Sequence, residues 1–219
     1  MSSFVVHTIP GSPAARAVMA TLIEKGASFR VAGLAPGAHK VEPHLSRHPF
    51  GKMPVLEQGD FTLYETQAIL RYLERILPTP RLIPEEPKDA ARMDQVMGIS
   101  DWYLFQGVNS VIGFQRVVGP RLMGLTPDEA AISAAMPRAH EVFGELSRLL
   151  GRKAYLASQQ VTLADIMVAP HMDFLAQAPE WSALTRGRSN LTEWLGRMNE
   201  RKSMQLTTWE AVAQLAKAG

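Results

Sequence analysis

The chain has 219 residues, 46% of them apolar and 20% charged, and a formal net charge of +2 from 23 basic and 21 acidic side chains. That is the make-up of a globular protein, with room for one large domain or two small ones, and no Lys/Arg run marks a nucleic-acid or anionic-membrane surface. It contains no cysteine, which excludes disulfides, thiolate metal sites and a protein-thiol nucleophile. The six histidines show no HxH or HExxH spacing and predict no zinc site.

Met1-Ser2-Ser3-Phe4-Val5-Val6 lacks the basic segment and long apolar core of a signal peptide. No apolar run approaches the ~20 residues of a membrane span, so a cytoplasmic protein is expected. Phe4 to Ile9 is β-branched and apolar and predicts a strand. Pro10-Gly11-Ser12-Pro13 is a sharp turn, and Ala15, Val18, Met19, Leu22 and Ile23 share one helical face that stops at Gly26. Phe29 and Val31 mark a second strand, and the whole predicts a βαβ unit with parallel strands. Residues 35–52 read as irregular. Pro54–Glu57 and Phe61–Leu63, joined at Gln58-Gly59-Asp60, predict a hairpin. Ala68, Ile69, Tyr72, Leu73, Ile76 and Leu77 then fall on one helical face.

Pro78, Pro80, Pro84 and Pro87 crowd the next stretch. No helix survives such density, so a linker and domain boundary are expected there. Beyond it the periodicity is helical: 88–118, bent near Gly107; 127–150, with Thr126 as cap, Pro127 at the first helical position and an acidic first turn; then 163–177, 190–199 and 203–215. Thr162-Leu163-Ala164-Asp165 fits a capping box and is read as structural.

Few of these residues carry chemistry alone. Ser12, between strand and helix, is a good N-cap, and its hydroxyl also lies where the positive end of a helix favours an anion. Glu65-Thr66 opens a helix whose N–H groups suit a carboxylate, while Glu65 suits an ammonium. A cis bond at Met53-Pro54 would expose the Met53 backbone as a sheet edge that can pair with a peptide. His39-Lys40 is by default a solvated pair.

In order along the chain stand Ser12-Pro13-x-x-Arg16-x-Val18, Glu24-Lys25-Gly26, His39-Lys40, His48-Pro49-Phe50-Gly51-Lys52-Met53-Pro54-Val55-Leu56, Gly59-Asp60-Phe61 and Tyr64-Glu65-Thr66-Gln67-Ala68-Ile69. This series resembles the N-terminal domain of soluble glutathione S-transferases, above all the plant-type phi class and its bacterial relatives, and the resemblance continues more weakly through the second half. It implies an α/β thioredoxin-like domain (βαβ-ββα) over 1–77, a linker over 78–87, and an all-α helical bundle domain over 88–219. It also implies the site residues. Ser12 would hydrogen-bond the glutathione sulfur. His39, Lys40 and Lys52 would hold the glycine carboxylate. Met53, before a cis Pro54, would pair with the cysteinyl unit, and Glu65 and Thr66 would hold the γ-glutamyl end. Thr66 stands where the family usually has Ser and keeps the hydroxyl. The electrophile pocket would be lined by Phe114 and Val118.

The implied activity is a detoxifying conjugation: glutathione, a co-substrate with no metal, attacks hydrophobic electrophiles, with peroxides as further targets, in a homodimer. The chemistry is consistent with it. A free thiol has a pKa of about 8.5, and a hydroxyl donor beside a helix N-terminus favours the thiolate, so no protein nucleophile is needed. The alternative is a non-catalytic carrier that keeps the glutathione site. A Cys-dependent reductase is excluded by composition, and a maleylacetoacetate isomerase is disfavoured because its Ser-Ser and Cys motif is missing from the first turn.

Overall fold

The computed structural model describes residues 3–218, which form two units: the chain up to Arg81 together with the chain from Glu200 onward, and Leu82–Asn199. The first unit contains β1 (Phe4–Thr8), α1 (Pro13–Glu24), β2 (Phe29–Gly33), a 3-10 turn (Ala38–Lys40), α2 (His44–Arg47), β3 (Val55–Gln58), β4 (Phe61–Tyr64) and α3 (Thr66–Ile76). The sheet order is β2-β1-β3-β4. β1 and β2 are parallel, as a helical crossover requires, and β3 pairs antiparallel with β1 and β4. Gln58 faces Phe61, so the hairpin turns on Gly59-Asp60, with Gly59 at φ 64. The stretch 35–52, expected to be irregular, holds the 3-10 turn and α2. Each is a single turn, too short for periodicity to reveal.

Phe4 and Val6, with Leu56 opposite Val6, are buried together with Ala15, Val18, Met19 and Leu22 of α1 and Ile69, Leu70 and Leu73 of α3. Burying each of the larger ones contributes roughly 1.5–3 kcal/mol. Because side chains alternate along a strand, His7, Val55 and Glu57 share the opposite face, where Arg47 of α2 reaches Glu57.

The sequence predicts one helix over 203–215 within the second domain. The structure instead has α10 (Lys202–Gln205) and α11 (Trp209–Ala218), and both group with the first unit. The reason lies on α1, whose polar side chains find their partners in this segment. The buried Arg16 guanidinium donates to the Met204 carbonyl at 3.0 Å and to Thr207 at 3.3 Å. Arg201 donates twice to the Glu24 carboxylate, at 2.8 and 2.7 Å. Burial pushes the Glu24 carboxyl up, yet Arg201 and Ser203 hold it below its ordinary value.

The second unit opens with α4 (Pro87–Ile99), capped by the Glu86 carboxylate. The helix continues unbroken through Ser100–Val118 into α5 (Gly119–Met123), but from Ser100 it winds wider. The Gly119 N–H bonds to the Phe114 carbonyl, five residues back. The irregularity that the sequence reading places near Gly107 falls inside this segment, whose change of winding begins at Ser100. Its signature is in the burial: Leu104, Val108, Ile112 and Val117 recur every four or five residues, a longer period than an α-helical stripe. α6 (Glu129–Leu150) starts later than expected. Its cap is Asp128, whose carboxylate accepts from Ala131 N at 3.0 Å, not Thr126; an Asp reaches the third helical N–H and satisfies it.

α7 (Leu163–Leu175), α8 (Trp181–Thr185) and α9 (Ser189–Asn199) follow; α8 is a single turn that the sequence reading lacks. The capping box forms, and Asp165 is fully buried. It accepts from Leu156 N, Thr162 N, Thr162 Oγ1 and Trp194 Nε1 at 2.7–2.9 Å. Burial pushes its pKa up and these donors pull it down. Among the described residues no helix is long and apolar enough to cross a membrane.

Candidate active site

Sheet topology gathers the chemistry-bearing turns at one end. β1 ends at Thr8, and its antiparallel neighbour β3 begins at Val55, opposite His7. β4 ends at Tyr64, opposite Val55. The turn after β1 with Ser12, the approach to β3 with Lys52-Met53-Pro54, and Glu65-Thr66 after β4 therefore leave from the same edge. β2 also ends there, with Gly33 opposite Thr8, so the connection carrying His39 and Lys40 starts from it too.

Ser12 is the N-cap of α1, at φ −81 and ψ 110, and its Oγ accepts from Ala15 N at 3.3 Å. Capping uses an acceptor lone pair, and the hydroxyl proton stays available to donate. Structural and functional readings of Ser12 are thus compatible. α1 has no acidic residue in its first turn, so no carboxylate of that turn offsets the positive end of the helix beside this hydroxyl.

Gly51, at φ 54, lets two loop segments meet. A Cβ there would stand 2.8 Å from the His39 carbonyl oxygen and 3.1 Å from Lys40 Cδ. The glycine thus seats His39-Lys40 against Gly51-Lys52, and His44 Nε2 lies 2.7 Å from the Lys52 carbonyl. Burial lowers the pKa of the His39 imidazole, and the charges of Lys40, His44 and Lys52 lower it further. The same positive field favours an incoming carboxylate. Pro54 is buried, and the Met53–Pro54 bond is cis.

Glu65 is the one non-glycine residue with positive φ among the described residues, at φ 70 and ψ 117. It occupies the N-cap of α3, yet its side chain makes no cap hydrogen bond, and it is exposed. Such backbone costs of order 1–3 kcal/mol and survives where the surroundings fix it. Thr66 follows, half-buried, at the first helical position. His48, also buried, stacks on Tyr64 with ring centroids 4.5 Å apart. Burial lowers its pKa and the Glu65 carboxylate raises it.

The structure therefore brings Ser12, His39, Lys40, Lys52, Met53, Pro54, Glu65 and Thr66 to one edge of one sheet. Phe114 and Val118 lie in the second unit, both half-buried on the wide-wound helix. The sequence reading gave no role to His44 or His48, which support the loop. Their i, i+4 spacing, with the rings stacked at 6.3 Å, is the signal that could have revealed α2.

A mixed four-stranded sheet of order β2-β1-β3-β4, with a helix crossing between its parallel strands and an all-helical unit following in the chain, has the architecture of a thioredoxin-like domain succeeded by a helical one. The family description "Glutathione S-transferase, N-terminal domain" matches residues 2–75, and "Glutathione S-transferase, C-terminal domain" matches residues 105–202. Glutathione S-transferase F7 of Arabidopsis thaliana is 32% identical over 208 residues, covering 93% of this chain and 98% of the relative. A glutathione S-transferase of Hyoscyamus muticus is 31% identical and covers 86% of this chain and 90% of the relative. Among solved structures, glutathione transferase F7 from Populus trichocarpa superposes with TM-score 0.83 at 26% identity, over 97% of this chain and 99% of the other. The chain belongs to the glutathione S-transferase family, and its relatives are of the phi class.

The strain at Glu65 yields a prediction. Glu65→Gly relieves the backbone penalty and raises unfolding free energy by about 1 kcal/mol, while glutathione binding weakens about tenfold through loss of the carboxylate. Chemical denaturation and calorimetric titration of the same sample read both effects. A variant that binds as well as wild type would remove Glu65 from the site.

Proposed function

We propose that this chain, as a homodimer, binds glutathione at the sheet edge and holds it as the thiolate for attack on a hydrophobic electrophile. His39, Lys40 and Lys52 hold the glycine carboxylate. The Met53 backbone pairs with the cysteinyl unit, and Glu65 and Thr66 hold the γ-glutamyl end. The Ser12 hydroxyl donates to the sulfur. The thiol proton leaves to water, the sulfur lone pair forms a bond to an electrophilic carbon, and the displaced group departs with the electron pair of the broken bond. Phe114 and Val118 are the apolar side chains we assign to the electrophile.

The observation that carries this reading is the Ser12 hydroxyl, its proton uncommitted by capping, at the positive end of α1, whose first turn holds no acidic residue. Lowering the thiol pKa by about two units needs about 2.7 kcal/mol of preference for the anion. A charge-assisted hydrogen bond together with a helix terminus supplies that order of energy. The test is the ultraviolet difference spectrum of bound glutathione against pH, alongside turnover of an activated aryl halide. A thiolate band with its midpoint well below 8.5 is expected. Saturable binding without that band would leave only a carrier, and sedimentation at monomer mass would remove the dimer.

A further inference from the structure

Glu57 lies outside the set just assigned, yet it is tied to it. It sits on β3, on the same sheet face as His7, and both carboxylate oxygens are used. Oε2 lies 2.8 Å from His7 Nε2, and Oε1 accepts from Arg47 Nε at 2.8 Å. His7 is buried in β1, a strand paired on both sides, so one end of this relay is anchored inside the sheet. Arg47 is the last residue of α2, and Arg47 Nη1 also donates to the Pro43 carbonyl, so it grips both ends of that single turn.

From Arg47 the connection to the cationic loop is short and stiff. His48, the next residue, is 2% exposed and stacked on Tyr64. His44, one turn earlier, meets the Lys52 carbonyl. Gly51 is pressed against His39 and Lys40. α2 and the turn that follows it are thus in direct contact with the segments that carry His39, Lys40 and Lys52. The position of α2 and that turn over the sheet is set by the Arg47–Glu57 contact as well as by the His48 ring. The pair is partly exposed, with side chains 31% and 26% accessible, so its direct contribution to folding is small. A small contribution to stability combined with a decisive position is the mark of a positioning residue.

We infer that Glu57, fixed by His7 and gripping Arg47, is a positioning residue that sets where the His39 imidazole and the Lys40 and Lys52 ammonium groups stand and thereby gives the site its preference for a thiol peptide ending in a glycine carboxylate. The inference rests on the glutathione-binding role proposed for those three side chains. It separates two parts of one ligand: the glycine end depends on the relay, and the γ-glutamyl and thiol ends do not.

The experiment compares glutathione with γ-glutamylcysteine, which lacks the glycine, on the full-length protein. Affinity is measured by calorimetry, the thiolate midpoint by ultraviolet difference. Wild type is expected to prefer glutathione. Glu57→Gln should weaken glutathione about tenfold, the loss expected of a charge-assisted contact, leave γ-glutamylcysteine affinity unchanged, and leave the thiolate midpoint where it was. Arg47→Ala should do the same, and the double variant should be no worse than either single one, since both break one contact. Equal weakening of the two ligands would overturn the inference, because that is what general loosening of the fold produces. Unchanged preference for glutathione in Glu57→Gln would overturn it too. A wild-type protein that fails to discriminate between the two ligands would instead strike the assignment of His39, Lys40 and Lys52.

Discussion

Ser12→Ala is expected to lower turnover about fiftyfold at pH 6.5 and hardly at all above pH 9. The sign and size follow from one proton. If Ser12 accounts for the full shift of about two units, the bound thiol is half ionised near pH 6.5 in wild type and about 1% ionised in the variant. Above the free-thiol value of about 8.5 both are thiolates and the difference closes. A defect constant across pH would instead mean that Ser12 stabilises a later charge, as a lost oxyanion donor does. Ser12 is also the N-cap of α1, so Ala costs about 1 kcal/mol of stability besides. Ser12→Asp separates the two roles. Aspartate caps a helix as well as serine does, so the protein should remain as stable as wild type. Its carboxylate repels the developing thiolate, so the midpoint should rise at least as far as in Ser12→Ala. A stable Ser12→Asp protein with an unshifted midpoint would assign thiol activation to backbone N–H groups at the helix start.

The first unit was legible up to its single-turn elements because its signals are local. Phe4 to Thr8 lies in an apolar, β-branched run, Phe29 and Val31 alternate with polar neighbours, and the turn at Gly59-Asp60 needs the glycine it has. The residues proposed for the site form an ordered series in the sequence, because Ser12, Lys52-Met53-Pro54 and Glu65-Thr66 stand at strand ends or helix starts, where the sequence is punctuated by Pro and Gly, and His39-Lys40 stands in a single turn of the connection between β2 and β3. What escaped was long-range. Nothing in the sequence around Trp209 says that it returns to Gly11. A stripe of α-helical period cannot announce the wider winding at Ser100, because the four- and five-residue spacing of Leu104, Val108, Ile112 and Val117 is visible only once burial is known. Single turns such as α2 and α8 carry too few residues for any period.

The return of Trp209 governs the second large effect. Gly11 precedes Ser12 with φ 85, and a Cβ on it would lie 1.9 Å from Cζ3 and 2.2 Å from Cε3 of Trp209. Gly11→Ala therefore meets two penalties. The backbone conformation costs a side-chain-bearing residue about 1 kcal/mol or more, and the ring has to move, which in packed structures costs roughly 1–3 kcal/mol. Trp209 opens α11, whose Ala216 lies against Gly33 of β2. Shifting the ring loosens that helix, and upstream it disturbs Met204 and Thr207, which hold the buried Arg16 guanidinium. A loss of about 3 kcal/mol is expected, a fall in Tm on the order of 10 °C for a chain of this size, together with a raised thiolate midpoint because the displaced turn carries Ser12. Trp209→Ala in the Gly11→Ala background should recover the steric part and leave the backbone part, so the two substitutions combine to less than their sum. A Gly11→Ala protein as stable as wild type, with the midpoint unmoved, would show that the C-terminal segment yields without disturbing α1, and that the aim of the Ser12 hydroxyl is set by the α1 N-terminus alone.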